Sequence, residues 1–558
     1  MSTRFARRFM LAAIASGIHS MGSAQVYPDA GRVLREQMPQ PAAPERRESL
    51  KIDPQRSDPV PPGGTRVKLE SLTFYGNTVF SEAQLIAAAG EVISNDFDLA
   101  GLQEIADRIA DFYRDRGFPF ARVVLPPQTV GSGRLKLDII EGRYGAVAAV
   151  GDDKLKAEAQ QWLGQLKEGS VIREASLERA TLLLSDQPGI ATRPLIRPGE
   201  RVGTGDLEVA VRRDTSQAVD VGIDNHGSRY TGYQRARGSW VLNSPTMLGD
   251  QLIFSAVQSD GHLTLGNLNY SRPLGFTGLR MQAGMGYTTY KVGRELELAQ
   301  RGGDAQVYNL GLSYPFIRSN KGNLTGGITL TYKNLHDYSK DFTCGCSVYA
   351  DKSVTSLPLS LQFDVRDDLL GPAISFGSVV LTIGNLRFGA SSTDSIARQS
   401  IEAGKTLGSY AKLNVDAVRQ QYAGSYLLSA RFSGQYAQKN LDSSEDFLLG
   451  GPSGVRAYPV GEASGDRGLL YQLEVRRQFD RFTPYVFFDG GRIQTQASPT
   501  SSHGNVPEQR KGGGVGVRYA LNNLSLDAIA ARRISGGAPK SDAYANAVQL
   551  WLTVNYRF

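Results

Sequence analysis

The chain has 558 residues and a formal net charge of +7, its 62 basic residues interspersed with 55 acidic ones. No basic stripe interleaved with aromatics occurs, which argues against nucleic-acid binding, and five scattered histidines with one close cysteine pair give no metal-ligand spacing. The 62 glycines, 24 tyrosines and 22 phenylalanines favour many strands and tight turns.

Residues 1–24 read as a secretory signal peptide. Arg4, Arg7 and Arg8 form the positive start, Phe9 to Ile18 a short apolar core, and Gly22-Ser23-Ala24 the small residues before cleavage. The apolar run is far shorter than the roughly 20 residues a spanning helix needs. Residues 25–37 contain DAGRVLREQ, which can form a short helix or remain a polar tail. Residues 38–65 (MPQPAAPERRESLKIDPQRSDPVPPGG and one more) are too rich in proline and charge for a packed core and read as a linker.

Residues 66–142 and 143–213 each read as mixed helix and strand in the order β-α-α-β-β. The first opens with the strand RVKLESLTFYGN, then a helix near Ser81 to Ala89. A longer helix runs from about Leu99 to Arg116, with Leu102, Ile105, Ile109 and Phe112 at helical spacing and Gly117 as its stop. FARVVLP and RLKLDIIEG close that unit. The second repeats the order with AVAAVG, helices near 154–163 and 174–184, then TRPLIRPGE and DLEVAVRR.

From residue 214 to 558 the pattern becomes period-2 alternation, in segments such as QLIFSAVQ, NLTGGITLTYKNL, TPYVFFDGGRI and GGGVGVRYAL. Sixteen such segments of roughly 9 to 14 residues occur, an even number of the length a tilted strand needs to cross a membrane. In the last one, Val548, Leu550, Leu552, Val554, Tyr556 and Phe558 share a face, against Gln549, Thr553, Asn555 and Arg557. Trp551 is the exception on that polar face. One face apolar and one polar is what a closed barrel between lipid and a wet lumen requires. The fold class is therefore mainly β: a 16-stranded antiparallel transmembrane barrel after two α+β modules.

Enzyme motifs fail on their own terms. Gly404-Lys405-Thr406 ends like a phosphate-binding loop, but Gln399 stands where its first glycine belongs. No HExxH or GxSxG occurs, so no catalytic residue, cofactor or metal is expected. Cys344 and Cys346 fall between two strands. They read as a local staple or a cross-link before they read as a metal or redox pair.

The two mixed modules resemble POTRA domains, the periplasmic units of outer-membrane translocases, and GFPFARVVLPPQTVGSGRLKLDIIEG and IRPGERVGTGDLEVAV resemble those of two-partner secretion transporters. GVRAYPVGEASGD (residues 454–466) resembles the lumen-dipping loop of that family, its tip here being Val455-Arg456-Ala457-Tyr458, with Ala457 where the family has glycine. Phe487, Asp489 and Gly490 match the family's wall motif. Alternation places Asp489 toward the lumen, where Arg456 can form a bidentate pair with it. The resemblance covers the whole mature chain and makes residues 29–37 the place of the family's pore plug. It implies outer-membrane export of a partner exoprotein bound by periplasmic POTRA domains, with folding outside supplying direction, in a monomer inserted by the barrel assembly machinery. Tyr556 and Phe558 would be the assembly signal. An outer-membrane protein insertase of the same superfamily and a passive porin are the rival readings.

Overall fold

The computed structural model describes residues 28–37, 60–130, 133–340, 345–389, 392–500, 507–542 and 544–558. The segment read as a signal peptide and most of that read as a linker, like Cys344, lie outside the described residues, and Cys346 is disulfide-bonded.

Helix α1 spans Ala30–Glu36, its amino end capped by Asp29, which accepts from Arg32 N at 2.8 Å. The first module follows as β1 (Val67–Lys68), β2 (Ser71–Tyr75), α2 (Glu82–Ala89), β3 (Asp96–Phe97), α3 (Leu99–Asp115), β4 (Arg122–Val124) and β5 (Arg134–Ile140). The single opening strand expected from the sequence is two: β1 pairs with β3, β2 with β5, and Leu69 between them is buried. The apolar stripe of α3 packs Leu102, Ile105, Ile109 and Tyr113 on the sheet β2-β5-β4.

The second module comprises β6 (Arg143–Gly151), α4 (Asp153–Leu163), α5 (Glu174–Ser185), β7 (Ile190–Pro198) and β8 (Thr204–Arg213), in the sheet order β6-β8-β7. Pro194 and Pro198 lie on its edge strand β7, where a missing N–H costs no ladder bond. Glu141 joins the modules: its carboxylate accepts from Val79 N (2.7 Å) and Tyr113 OH (3.2 Å) of the first and Arg143 Nη2 (3.1 Å) of the second.

The barrel strands are β9 (Gln217–Asp224), β10 (Arg235–Asn243), β11 (Gln251–Ser259), β12 (Thr264–Pro273), β13 (Arg280–Lys291), β14 (Gly302–Arg318), β15 (Gly322–Lys340) and β16 (Ser347–Asp367). They continue as β17 (Ala373–Phe388), the outer helix α6 (Ser395–Ala403), β18 (Gly408–Ala423) and β19 (Tyr426–Ala437). After the two-residue β20 (Phe447–Leu448) and β21 (Ser464–Gly465) come β22 (Arg467–Arg477), β23 (Phe482–Gln494), β24 (Glu508–Leu521), β25 (Leu524–Ser535) and β26 (Val548–Arg557).

Sixteen of these close into one antiparallel barrel, β26 pairing with β9 from Thr553↔Asp224 to Arg557↔Asp220. β14, β15 and β16 reach 17, 19 and 21 residues, longer than expected, because their hairpins continue past the apolar band on the outer side. Those extensions (LHDYSK, SVYADK) are largely polar and carry no lipid-facing alternation. Along the wall, Leu310, Leu330, Leu361 and Leu550 face outward. No described helix is long and apolar enough to cross a membrane.

The second module grips the periplasmic turns between β10 and β15. Arg318 makes a two-pronged bond to Asp186 (2.6 and 2.7 Å), Arg179 donates to Pro315 O (2.8 Å), and Leu248 enters the module's core. This fixes the module beside the barrel mouth.

Candidate functional site

The β19–β22 connection, residues 438–466, is an outer loop that folds back into the lumen. Its tip is buried, Arg456 being 5% exposed and Tyr458 0%, and so is Asp489 of β23 beneath it at 0%. Arg456 spends its donors on two wall carboxylates. Its Nε and Nη2 bond Asp489 Oδ2 and Oδ1 at 2.8 Å each, and its Nη1 bonds Glu474 Oε2 at 2.9 Å. The backbone N of Arg456 adds a bond to Asp489 Oδ2 at 3.1 Å, and the guanidinium lies 3.6 Å above the Phe487 ring. A planar fork with five N–H groups fits this double target, where an ammonium would not.

The expected pair Arg456–Asp489 is therefore present, with Phe487 and Asp489 on the lumenal face as alternation implied. Two partners escaped the sequence reading. Glu474 sits on β22 and also receives Arg476 and, at 3.4 Å, Arg518; it looks like one of many strand charges. Trp551 has a visible signal, as the apolar residue on the polar face of β26. Its Nε1 donates to Arg456 O at 2.7 Å and its ring meets His226 edge-on.

Val455 is buried in the same cluster. Tyr458 OH bonds Ser535 O (2.9 Å) and Gly537 O (3.2 Å). Ala457 keeps an ordinary φ, so its tip position does not require glycine. The space comes from the wall instead: on β24 a Cβ at Gly512 would collide with Ala457 Cβ, one at Gly514 would meet the Phe487 ring at 2.7 Å, and one at Gly516 would collide with the Tyr485 ring. Alternate glycines in RKGGGVGVRY thus carve the trough that receives the tip. Gly490 points the other way and makes room for the Tyr471 side chain, whose hydroxyl would overlap a Cβ there. Tyr556 and Phe558 lie outside the lumen altogether, on the lipid side, with their rings in edge contact at 4.7 Å.

Helix α1 occupies the lumen beside this loop. Asp29 accepts from Ser443 Oγ at 2.6 and 2.8 Å, Arg35 Nε donates to Asp446 O at 2.7 Å, and Arg32 donates to Gly461 O. From the wall, Asp337 Oδ1 takes the Ala30 N–H at 2.8 Å and Arg235 reaches Gln37 at 2.7 Å. A lumenal cavity of about 1150 Å³ remains between α1, the loop and β15–β19. Among the described residues no cluster of His, Cys, Asp and Glu could hold a metal ion.

A family profile described as haemolysin secretion/activation protein ShlB/FhaC/HecB matches residues 203–519, and one for the ShlB-type POTRA domain matches residues 67–142. The chain is 25% identical to the heme/hemopexin transporter protein HuxB of Haemophilus influenzae (strain 86-028NP), over 83% of this chain and 82% of that one. It is 26% identical to the outer membrane transporter CdiB of Escherichia coli over 85% and 81% of the two chains. The solved structure of CdiB from Escherichia coli superposes with a TM-score of 0.72 over 89% of this chain and 91% of that one, at 19% identity. With a profile spanning more than half the sequence and the barrel and POTRA modules in the expected order, this chain belongs to the haemolysin secretion/activation protein family ShlB/FhaC/HecB.

Proposed function

We infer that the protein is an outer-membrane transporter of the two-partner secretion type, exporting a partner exoprotein through its barrel with its POTRA domains in the periplasm. The observation that carries this is a closed barrel with the second of two POTRA modules docked at its mouth and a lumen occupied by an inturned loop clamped to the wall through Arg456. A passive porin has no use for the modules, and relatives named as transporters favour export over the insertase reading. We read it as a conduit: the arginine and carboxylates at the loop tip position a loop.

The finer features belong to the same proposal. The POTRA domains receive the unfolded exoprotein, by adding a strand to a free sheet edge. α1 plugs the resting pore. The protein works as a monomer, its lipid-facing wall carrying Tyr556 and Phe558 as the signal read by the assembly machinery. Deleting this gene, in a strain carrying a neighbouring gene for a large repetitive exoprotein, tests the reading. Loss of that exoprotein from the surface, with other barrels assembling normally, supports it; an exoprotein still exported, or a general loss of barrels, overturns it.

A further inference from the structure

We propose that Glu462 and Arg510 form a second pair of positioning residues for export, holding the outgoing leg of the loop and the β25–β26 outer loop against the wall. The proposal rests on the lumenal-loop reading above and concerns residues outside the Arg456 clamp. Glu462 is 1% exposed and Arg510 4%. Glu462 Oε1 receives Arg510 Nε (3.1 Å) and Nη2 (2.7 Å); its Oε2 receives Lys540 N (2.8 Å), Ser541 N (2.9 Å) and Ser541 Oγ (2.8 Å). Five donors thus converge on one carboxylate.

That donor count fixes the residue type. A carboxylate only accepts, whereas a glutamine would turn two N–H donors toward groups that are themselves donors. Arg510 is held from its other side by Glu508 at 2.5 Å, and Glu508 takes Lys540 Nζ at 2.8 Å. Together with the Tyr458 hydroxyl on Ser535 and Gly537, these bonds tie loop residues 458–462 to the end of β25 and the start of the outer loop after it. The Arg456 clamp holds the tip on β22 and β23; this one holds the leg on β24 and the β25–β26 loop.

The consequence is positional. Val460 and Gly461 border the lumenal cavity, while Glu462 turns away from it into the wall. With the leg pinned, the cavity side stays clear for a passing chain; released, the leg swings into that path.

The test uses the full-length protein in cells, with Cys344 and Cys346 replaced and Ala457→Cys as a probe that is buried in the parent. Glu462→Gln and Arg510→Lys are each expected to lower export about tenfold and to raise maleimide labelling at position 457 about tenfold, while heat-modifiable barrel reaches the membrane in parental amounts. Should Glu462→Gln not assemble, Arg510→Lys, which keeps the charge and loses the fork, carries the test. An assembled variant with parental export and parental labelling overturns the second clamp. Arg456→Ala is measured in parallel: if it too exports normally, the lumenal-loop reading fails, and if it alone blocks export, only the second clamp does.

Discussion

Two elements share the lumen, and they are held in different ways. The loop tip is tied to the barrel wall: Arg456 to Asp489 and Glu474, Trp551 back to Arg456, Tyr458 to the end of β25. The helix α1 hydrogen-bonds mostly to the loop, through Ser443, Asp446 and Gly461, and rests its apolar Ala30 and Val33 on Tyr290, Ala305 and Leu335 of the wall. It has seven residues and one glycine, Gly31, pressed against Ser443 and Ser444. The difference teaches which part is permanent. A loop anchored in the wall is a fixture of the pore; a helix seated on that fixture can leave without disturbing it.

The largest effect should come from attacking the fixture. Replacing Arg456 by Ala leaves the buried carboxylate of Asp489 without its cation, a loss of roughly 3 to 5 kcal/mol for a buried pair. Water in the lumen reduces that figure. Export in cells is expected to fall by a hundredfold or more while the barrel remains heat-modifiable in the membrane.

Removing residues 26–37 attacks the other element and should act on conductance instead. Single channels in planar bilayers are expected to conduct several-fold more, with export retained. Gly31→Val sharpens the comparison, since a Cβ at that position would stand 2.7 Å from both Ser443 Oγ and Ser444 N. Its conductance should rise in the same direction as the deletion and by less.

The smallest effect is a pH dependence. Burial pushes the Glu36 carboxyl from its ordinary 4.5 up to about 7, against the attraction of Arg32 and Arg235 and with Asp29 adding repulsion. The seated helix therefore holds a proton that a released helix gives up between those values. Seating is strongest at the acid end and weakens as pH rises through 7. Open probability should climb between pH 5 and 8, and Glu36→Gln should flatten that climb.

Much of this architecture is legible in the order of residues alone. Sixteen alternating segments give sixteen strands because the wall has lipid on one side and water on the other, so each strand carries the full signal by itself. The helical stripe of α3 is equally self-contained. What stays hidden depends on partners distant along the chain. Glu474 alternates like any lumenal charge, and only the folded-back loop makes it a partner of Arg456. Glu462 lies in a flexible-looking segment, with Arg510 and Ser541 on other strands and loops. The glycines of β24 read only as part of an alternating strand, whereas they form the trough for Ala457 and Phe487. The break between β1 and β2 is masked because Leu69 fits an alternating strand as well as it fits a buried corner.

The central claim is that the Arg456 tip rests on Asp489 inside the lumen, and a cross-link tests it most directly. Cysteines at both positions, in a variant lacking Cys344 and Cys346, are expected to join spontaneously in the assembled barrel. If they never join, and Arg456→Ala secretes its partner normally, the loop does not sit on the wall and the account is wrong.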